Sequence, residues 1–290
     1  MFIIKYKKIF IGLSVALVVA SFALMNMYGV KRGIDFTGGS VIDITYSNIV
    51  PALSDETFAQ QGITLYKTGE MTERFVSPKT YEEISPVINE LANEGGKYPF
   101  QFTQVTTIGP TLGAEMTKKA IIALIVVVLA ILAFIAFSFR AVSEPVSSWK
   151  YGVIAMVTLI HDIIVPTGVY VILSHKYGAE VDTLFIIALL TIIGISISDK
   201  IVVFDRIREN LKSHSKKNSF EDVVGMSLKQ TFTRSINTSV TVILALFALY
   251  FFGPVMTKWF TLTLIVGMIV GTYSSIFVAS PLLTMWNKGK

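Results

Sequence analysis

The sequence predicts an all-α membrane bundle of six transmembrane helices that carries one small α+β domain. Three observations predict it. Hydrophobic residues make up 52% and charged residues only 16% of the chain, and the mean hydropathy is +0.63, above the range of ordinary soluble domains. Six apolar runs, at residues 9–28, 120–139, 151–173, 184–204, 236–252 and 259–285, fall near the roughly 20 residues that cross a bilayer as a helix. One long polar stretch, residues 30–118, separates the first two runs and carries the alternating pattern of strands.

The first run follows Lys5, Lys7 and Lys8 as a signal-peptide core would. It is long for such a core, and Ser21-Phe22-Ala23 is a weak cleavage site, so it reads as a retained anchor. Basic residues then mark alternate connections. Arg140 and Lys150 flank the second, Arg206, Arg208, Lys212, Lys216, Lys217 and Lys229 crowd the fourth, and Lys288 and Lys290 end the chain. The intervening connections are poorer, with Lys176 beside Glu180 and Asp182, then Lys258 alone. The positive-inside rule places both termini in the cytoplasm and residues 30–118 outside it. The net charge of +5 is therefore a topology marker. It is not a nucleic-acid patch, because no aromatic residues interleave with the loop lysines. The absence of cysteine excludes disulfides and thiolate metal sites.

Within 30–118, residues 41–46 read as a strand and 55–61 as a helix with Ser54 at its N-cap. Residues 62–68 and 73–77 read as two strands joined across Gly69-Glu70, 81–93 as a helix, and 100–108 as a last strand rich in Thr, Val and Phe. That order, βαββαβ, is the ferredoxin-like arrangement. Nothing in the domain resembles a catalytic site, and its isolated acids read as solvated surface. The remaining residues, 119–290, form the other five spans, with a cytoplasmic loop at 205–232. Within that loop, residues 221–228 have the pattern of an amphipathic surface helix, with Ser219 as N-cap and Asp222 in the capping-box position.

The stretch that leaves the first span, Gly33-Ile34-Asp35-Phe36-Thr37-Gly38-Gly39, is the most informative motif. Its glycines permit backbone angles that other residues avoid, Asp35 can bond nearby amides, and Phe36 can anchor by packing. With four further matches in order, it resembles the signature of the SecD/SecF protein-export family, in its smaller SecF branch. The others are Gly109-Pro110-Thr111-Leu112-Gly113 before the second span, His161-Asp162 in the third, residues 202–210 closing the fourth and residues 233–239 opening the fifth. The layout is also the half-unit of the resistance–nodulation–division superfamily.

Ionisable side chains at membrane depth are costly and face the bundle interior or a water-filled path. Helical spacing puts Ser196, Asp199, Lys200 and Val203 on one side of the fourth span. Arg234, Asn237, Thr238 and Thr241 form a polar stripe on the fifth. A carboxylate and a guanidinium on facing stripes suit a proton relay, and the same residues suit a static buried ion pair, which spacing alone favours. The resemblance favours the relay: it implies that Asp199 and Arg234 serve export driven by protons, the coupling ion, with no bound cofactor. Asp162, beside His161, is a secondary relay candidate or a structural hydrogen-bonding group. The family's usual Asn and Thr beside the intramembrane acid are replaced by Ser198 and Lys200. Lys200 is expected to snorkel to the cytoplasmic interface, the alternative being a pair with Asp199 inside the bundle. In the last span, Gly267, Gly271, Ser275 and Ala279 form a small-residue ridge suited to close helix packing.

By resemblance, the chain is expected in the inner membrane as a non-enzymatic export subunit. Its expected partners are SecD, the SecYEG channel, the SecA motor, YajC, translocating preproteins and membrane lipid. The alternatives are a half-size transporter of lipids or small molecules, and a structural scaffold indifferent to neutralisation of Asp199.

Overall fold

The computed structural model describes residues 2–138, 148–214 and 218–286. The expected markers Arg140, Lys216, Lys217, Lys288 and Lys290 lie outside the described residues. The chain divides into two compact units. One is Val30–Ile122 with Ser174–Thr183, and the other is Met1–Gly29, Ala123–Leu173 and Leu184–Lys290.

Helices α1 (Phe2–Lys5) and α2 (Lys7–Tyr28) lead to the one-turn helix α3 (Ile34–Thr37). The α+β unit follows as β1 (Gly39–Tyr46), α4 (Asp55–Gln60), β2 (Thr64–Lys67), β3 (Thr72–Ser77), α5 (Tyr81–Asn93) and β4 (Phe100–Ile108). The strands form one antiparallel sheet in the order β2-β3-β1-β4, with β1 paired to both β3 and β4. Alternation along β1 sends Ile42, Ile44 and Tyr46 into a core with Phe58, Ile63, Phe75, Ile84, Ile88 and Ala92. Helix α5 contributes Ile84, Ile88 and Ala92 at spacings of four, one apolar stripe against the sheet.

Two details depart from the sequence reading. Ser54 makes no side-chain cap bond to α4. The acids of this unit are not all solvated: Glu73 is 1% exposed and accepts a bond from the Tyr46 hydroxyl at 3.2 Å. Burial raises the pKa of the Glu73 carboxyl, because desolvation disfavours its charged form. Asp43 holds Arg74 through two bonds of 2.8 and 2.9 Å, a bidentate cross-strand pair of the stronger kind.

Gly39 opens β1 at φ +126°, and a Cβ there would stand 2.3 Å from the carbonyl oxygen of Ser77. Gly39→Ala is therefore expected to lower the thermal stability of the purified chain, by about 1–3 kcal/mol for the strain alone. An unchanged unfolding midpoint would contradict this reading of the position.

The long helices are α6 (Pro110–Ser138), α7 (Ser148–Tyr177), α8 (Thr183–His214), α9 (Phe220–Phe252) and α10 (Lys258–Ser274). A π-helical segment, Ser275–Ala279, continues α10 into α11 (Ser280–Trp286). Among the described residues, six helices are long and apolar enough to cross a membrane. Their core gathers Tyr151, Leu159, Ile193, Phe204, Ile207, Val223, Leu228, Ile276 and Leu283.

The residues read as a surface helix, 221–228, are instead the first turns of the continuous helix α9. Ser219 does cap it, accepting from the Asp222 amide at 3.2 Å. The apolar face of these first turns is buried: Val223, Val224 and Leu228 belong to one buried cluster with Phe204, Ile207 and Leu211 of α8. Asn210 on α8 fastens the two helices by donating to Ser227 and Gln230, both at 2.8 Å.

Candidate functional site

Among the described residues, the long helices enclose a closed polar cluster. Asp162 on α7 is 0% exposed, and so is Lys200 on α8. The Asp162 Oδ2 accepts from Lys200 Nζ at 2.6 Å, from Ser274 at 2.8 Å and from Ser196. Its Oδ1 accepts from His161 Nδ1 at 2.9 Å. Lys200 also donates to Ser196, one helical turn behind it. Three helices thus close around one carboxylate, whose charge is paired and whose lone pairs are used. Pro166 on the same helix has no N–H to give the Asp162 carbonyl four residues earlier, a local break in the helix ladder.

The small-residue ridge lets this cluster form. A Cβ on Gly267 would stand 2.2 Å from the Ile192 side chain, and one on Gly271 would stand 3.2 Å from that of Ser196. The two glycines bring α10 against α8 closely enough for Ser274 to reach Asp162.

Lys200 therefore does not snorkel, and it does not pair with Asp199. An ammonium withdrawn to the interface would leave the fully buried Asp162 without its counter-charge, which costs far more than burying the lysine with it. The competing partner lies 38 positions away on another helix, beyond what spacing along one helix reveals.

Asp199 is half-buried. It lies within the electrostatic reach of Lys200 and Arg234, yet no ion pair joins Asp199 to Arg234 among the described residues. The polar stripe on α9 points away from the bundle: Arg234, Asn237, Thr238 and Thr241 are exposed. The opposite face of α9 carries buried Ser235 and Ser239, and Ser239 bonds Thr272 of α10 at 2.5 Å. Spacing found the stripe but could not say which face of α9 the bundle uses.

The glycine motif is explained by close approach. A Cβ on Gly38, at φ +76°, would meet the Pro110 Cα at 2.8 Å. One on Gly113 would stand 2.8 Å from the Gly38 amide nitrogen. The motif after the first span and the motif before the second thus pack on each other, closing the α+β unit where the chain enters and leaves it. Phe36 is buried beside them, and its carbonyl accepts from Thr117 at 3.3 Å. Asp35 is used differently from the sequence reading. Its Oδ2 accepts from the backbone of Thr183 at 2.8 Å, at the first residue of α8, so it caps a helix 148 positions away.

Residues 87–289 match the family described as protein export membrane protein SecD/SecF, C-terminal, and residues 25–48 match the SecD/SecF GG motif. The chain is 39% identical to the protein translocase subunit SecF of Thermobaculum terrenum, over 98% of this chain and 93% of that one. It is 34% identical to the same subunit of Anaerolinea thermophila, over 99% and 94%. The crystal structure of SecDF from Thermus thermophilus, a translocon-associated membrane protein, superposes with a TM-score of 0.84 at 29% identity. That likeness covers 99% of this chain and 38% of the SecDF chain. With its motifs, its six apolar helices and its full-length relatives in agreement, the chain belongs to the SecD/SecF family of protein export membrane proteins.

Proposed function

We propose that this multi-pass membrane protein is an accessory subunit of a protein-export machinery, acting with a SecD subunit and drawing on the proton motive force. The carrying observation is the exposed stripe of Arg234, Asn237, Thr238 and Thr241 beside the half-buried Asp199. Polar groups at membrane depth are not left against lipid, since each unsatisfied group there costs several kcal/mol, on the order of a lost hydrogen bond or more. The stripe therefore calls for a protein partner, and a SecD subunit fits because SecDF structures superpose on nearly the whole chain. Asp199 and Arg234 then lie at a subunit boundary, where a proton reaching the carboxylate would cancel its electrostatic pull on the guanidinium and let the helices shift. Asp162 takes the structural part, its charge already matched by Lys200.

The basic residues Lys5, Lys7, Lys8, Arg206 and Arg208 support cytoplasmic termini in the inner membrane. The α+β unit, whose sheet order β2-β3-β1-β4 supports the ferredoxin-like reading, then faces the opposite side, where emerging preproteins would meet it. The SecYEG channel, the SecA motor and YajC belong to the same proposal, as does a transport role without catalysis of its own. The test is affinity purification from native membranes. A larger SecD-like subunit is expected with the wild type and not with Asn237→Leu/Thr241→Leu. Recovery of the wild-type chain without such a subunit would overturn the assignment.

A further inference from the structure

Two sets of contacts converge on the short connection between α7 and α8. In the first, Val181 N donates to Lys31 O at 2.9 Å and Gly33 N donates to Val181 O at 2.8 Å. Arg32 and Val181 thus form an isolated parallel bridge. Asp35 completes this set by accepting from the Thr183 amide at 2.8 Å. In the second set, the Tyr66 hydroxyl donates to Glu180 Oε1 at 3.4 Å. The Tyr66 ring fills the space above Gly178, where a Cβ would stand 2.0 Å from it. Arg74, anchored by Asp43, supplies the positive field that faces Glu180 and Asp182.

A single bridge pair is too short to hold a connection by itself, so the carboxylate and the tyrosine decide whether it stays closed. The first amides of a helix have no partner within it, and a carboxylate there also meets the positive end of the helix dipole. Helix α8 runs unbroken from Thr183 to His214. Asp199 lies sixteen residues along it, about 24 Å at 1.5 Å per residue. Thr183 and Asp199 therefore lie on one continuous helix.

We propose that Asp35 and Tyr66 are positioning residues of a clamp that stays closed through the working cycle and makes α8 move with the α+β unit. The proposal rests on the proton-driven export reading, since it supplies that site's link to the opposite face. Burial raises the pKa of Glu180, the Tyr66 hydroxyl, Arg74 and Lys31 working against that rise and Asp182 with it. Burial likewise pushes the Tyr66 hydroxyl up to about 12. A carboxyl whose pKa is raised on closure favours closure below its ordinary pKa and loses that favour as pH rises through the raised value. The clamp is thus tightest on the acidic side.

The chain has no cysteine, so Arg32→Cys/Val181→Cys introduces one defined cross-link. In membranes containing the full chain and its partner, Asp35→Ala is expected to lower gradient-driven export about tenfold at unchanged protein level, within the usual range of coupling between sites. Hydrogen exchange in the first turn of α8 should rise about fivefold, as for a lost N-cap. Oxidising the cysteine pair in the Asp35→Ala chain should restore export, and oxidising it in the otherwise wild-type chain should leave export intact. Normal export and exchange in Asp35→Ala would overturn the clamp, as would failure of the cross-link to restore export. If Asp35→Ala does not accumulate, Tyr66→Phe takes its place with the same exchange measurement, and unchanged exchange overturns the proposal. Should the wild type show no response to a gradient, the export reading fails, while exchange and cross-linking still judge the clamp.

Discussion

Asp199→Asn is expected to leave a folded, membrane-inserted protein whose export no longer responds to an imposed proton gradient. Asparagine keeps the shape of the side chain and cannot take up a proton. Asp199 is half-buried and makes no ion pair among the described residues, so little packing is lost with its charge. On the proposed reading, the loss falls on the gradient-dependent part of export alone. Asp199→Glu, which keeps a titratable group one methylene further out, should retain part of the response. Full gradient-driven export in Asp199→Asn at normal protein level would remove Asp199 from the relay.

The second large effect concerns stability. Lys200→Met leaves the Asp162 carboxylate buried with only His161, Ser196 and Ser274 as donors. Breaking a buried ion pair by removing one partner costs about 3–5 kcal/mol, whereas replacing both partners with apolar groups of similar volume is often neutral. Lys200→Met should therefore unfold at clearly lower temperature in detergent, and Lys200→Met/Asp162→Leu should recover most of the loss. If the double variant is as unstable as the single one, the cluster has a role beyond charge matching. If the single variant is as stable as wild type, the pair is not the fastening that its geometry implies.

The parts legible in the sequence were those set by short-range patterning. Apolar runs gave the six long helices, and alternation with turn residues gave α5 and β4 at the residues observed, Tyr81–Asn93 and Phe100–Ile108. Strands β1 and β2 were placed within two residues at their ends. Ser219 was found as a cap because its partner, Asp222, lies three positions away.

The parts that were not legible depend on distant residues. Lys200 turns inward because Asp162 stands on another helix, and one helix's spacing contains no record of that neighbour. Asp35 was read as bonding within its own turn, yet its partner amide begins α8. Residues 221–228 have the apolar face of a surface helix, but the same face suits a helix–helix contact, and its burial in one cluster with Phe204 and Leu211 depends on residues of another helix. The glycines of the first motif were recognised as special, although what makes them so, the approach of Pro110 and Gly113, comes from the other end of the domain.

Proton movement itself tests the relay most directly. Vesicles holding this chain with its SecD-like partner and a pH-sensitive dye in the lumen can be given an outside-in proton gradient while preprotein translocates. Wild-type vesicles are expected to show proton entry that depends on translocation, and Asp199→Asn vesicles to show only the background leak. Translocation-dependent proton entry at the wild-type rate in Asp199→Asn would contradict a relay through this carboxylate.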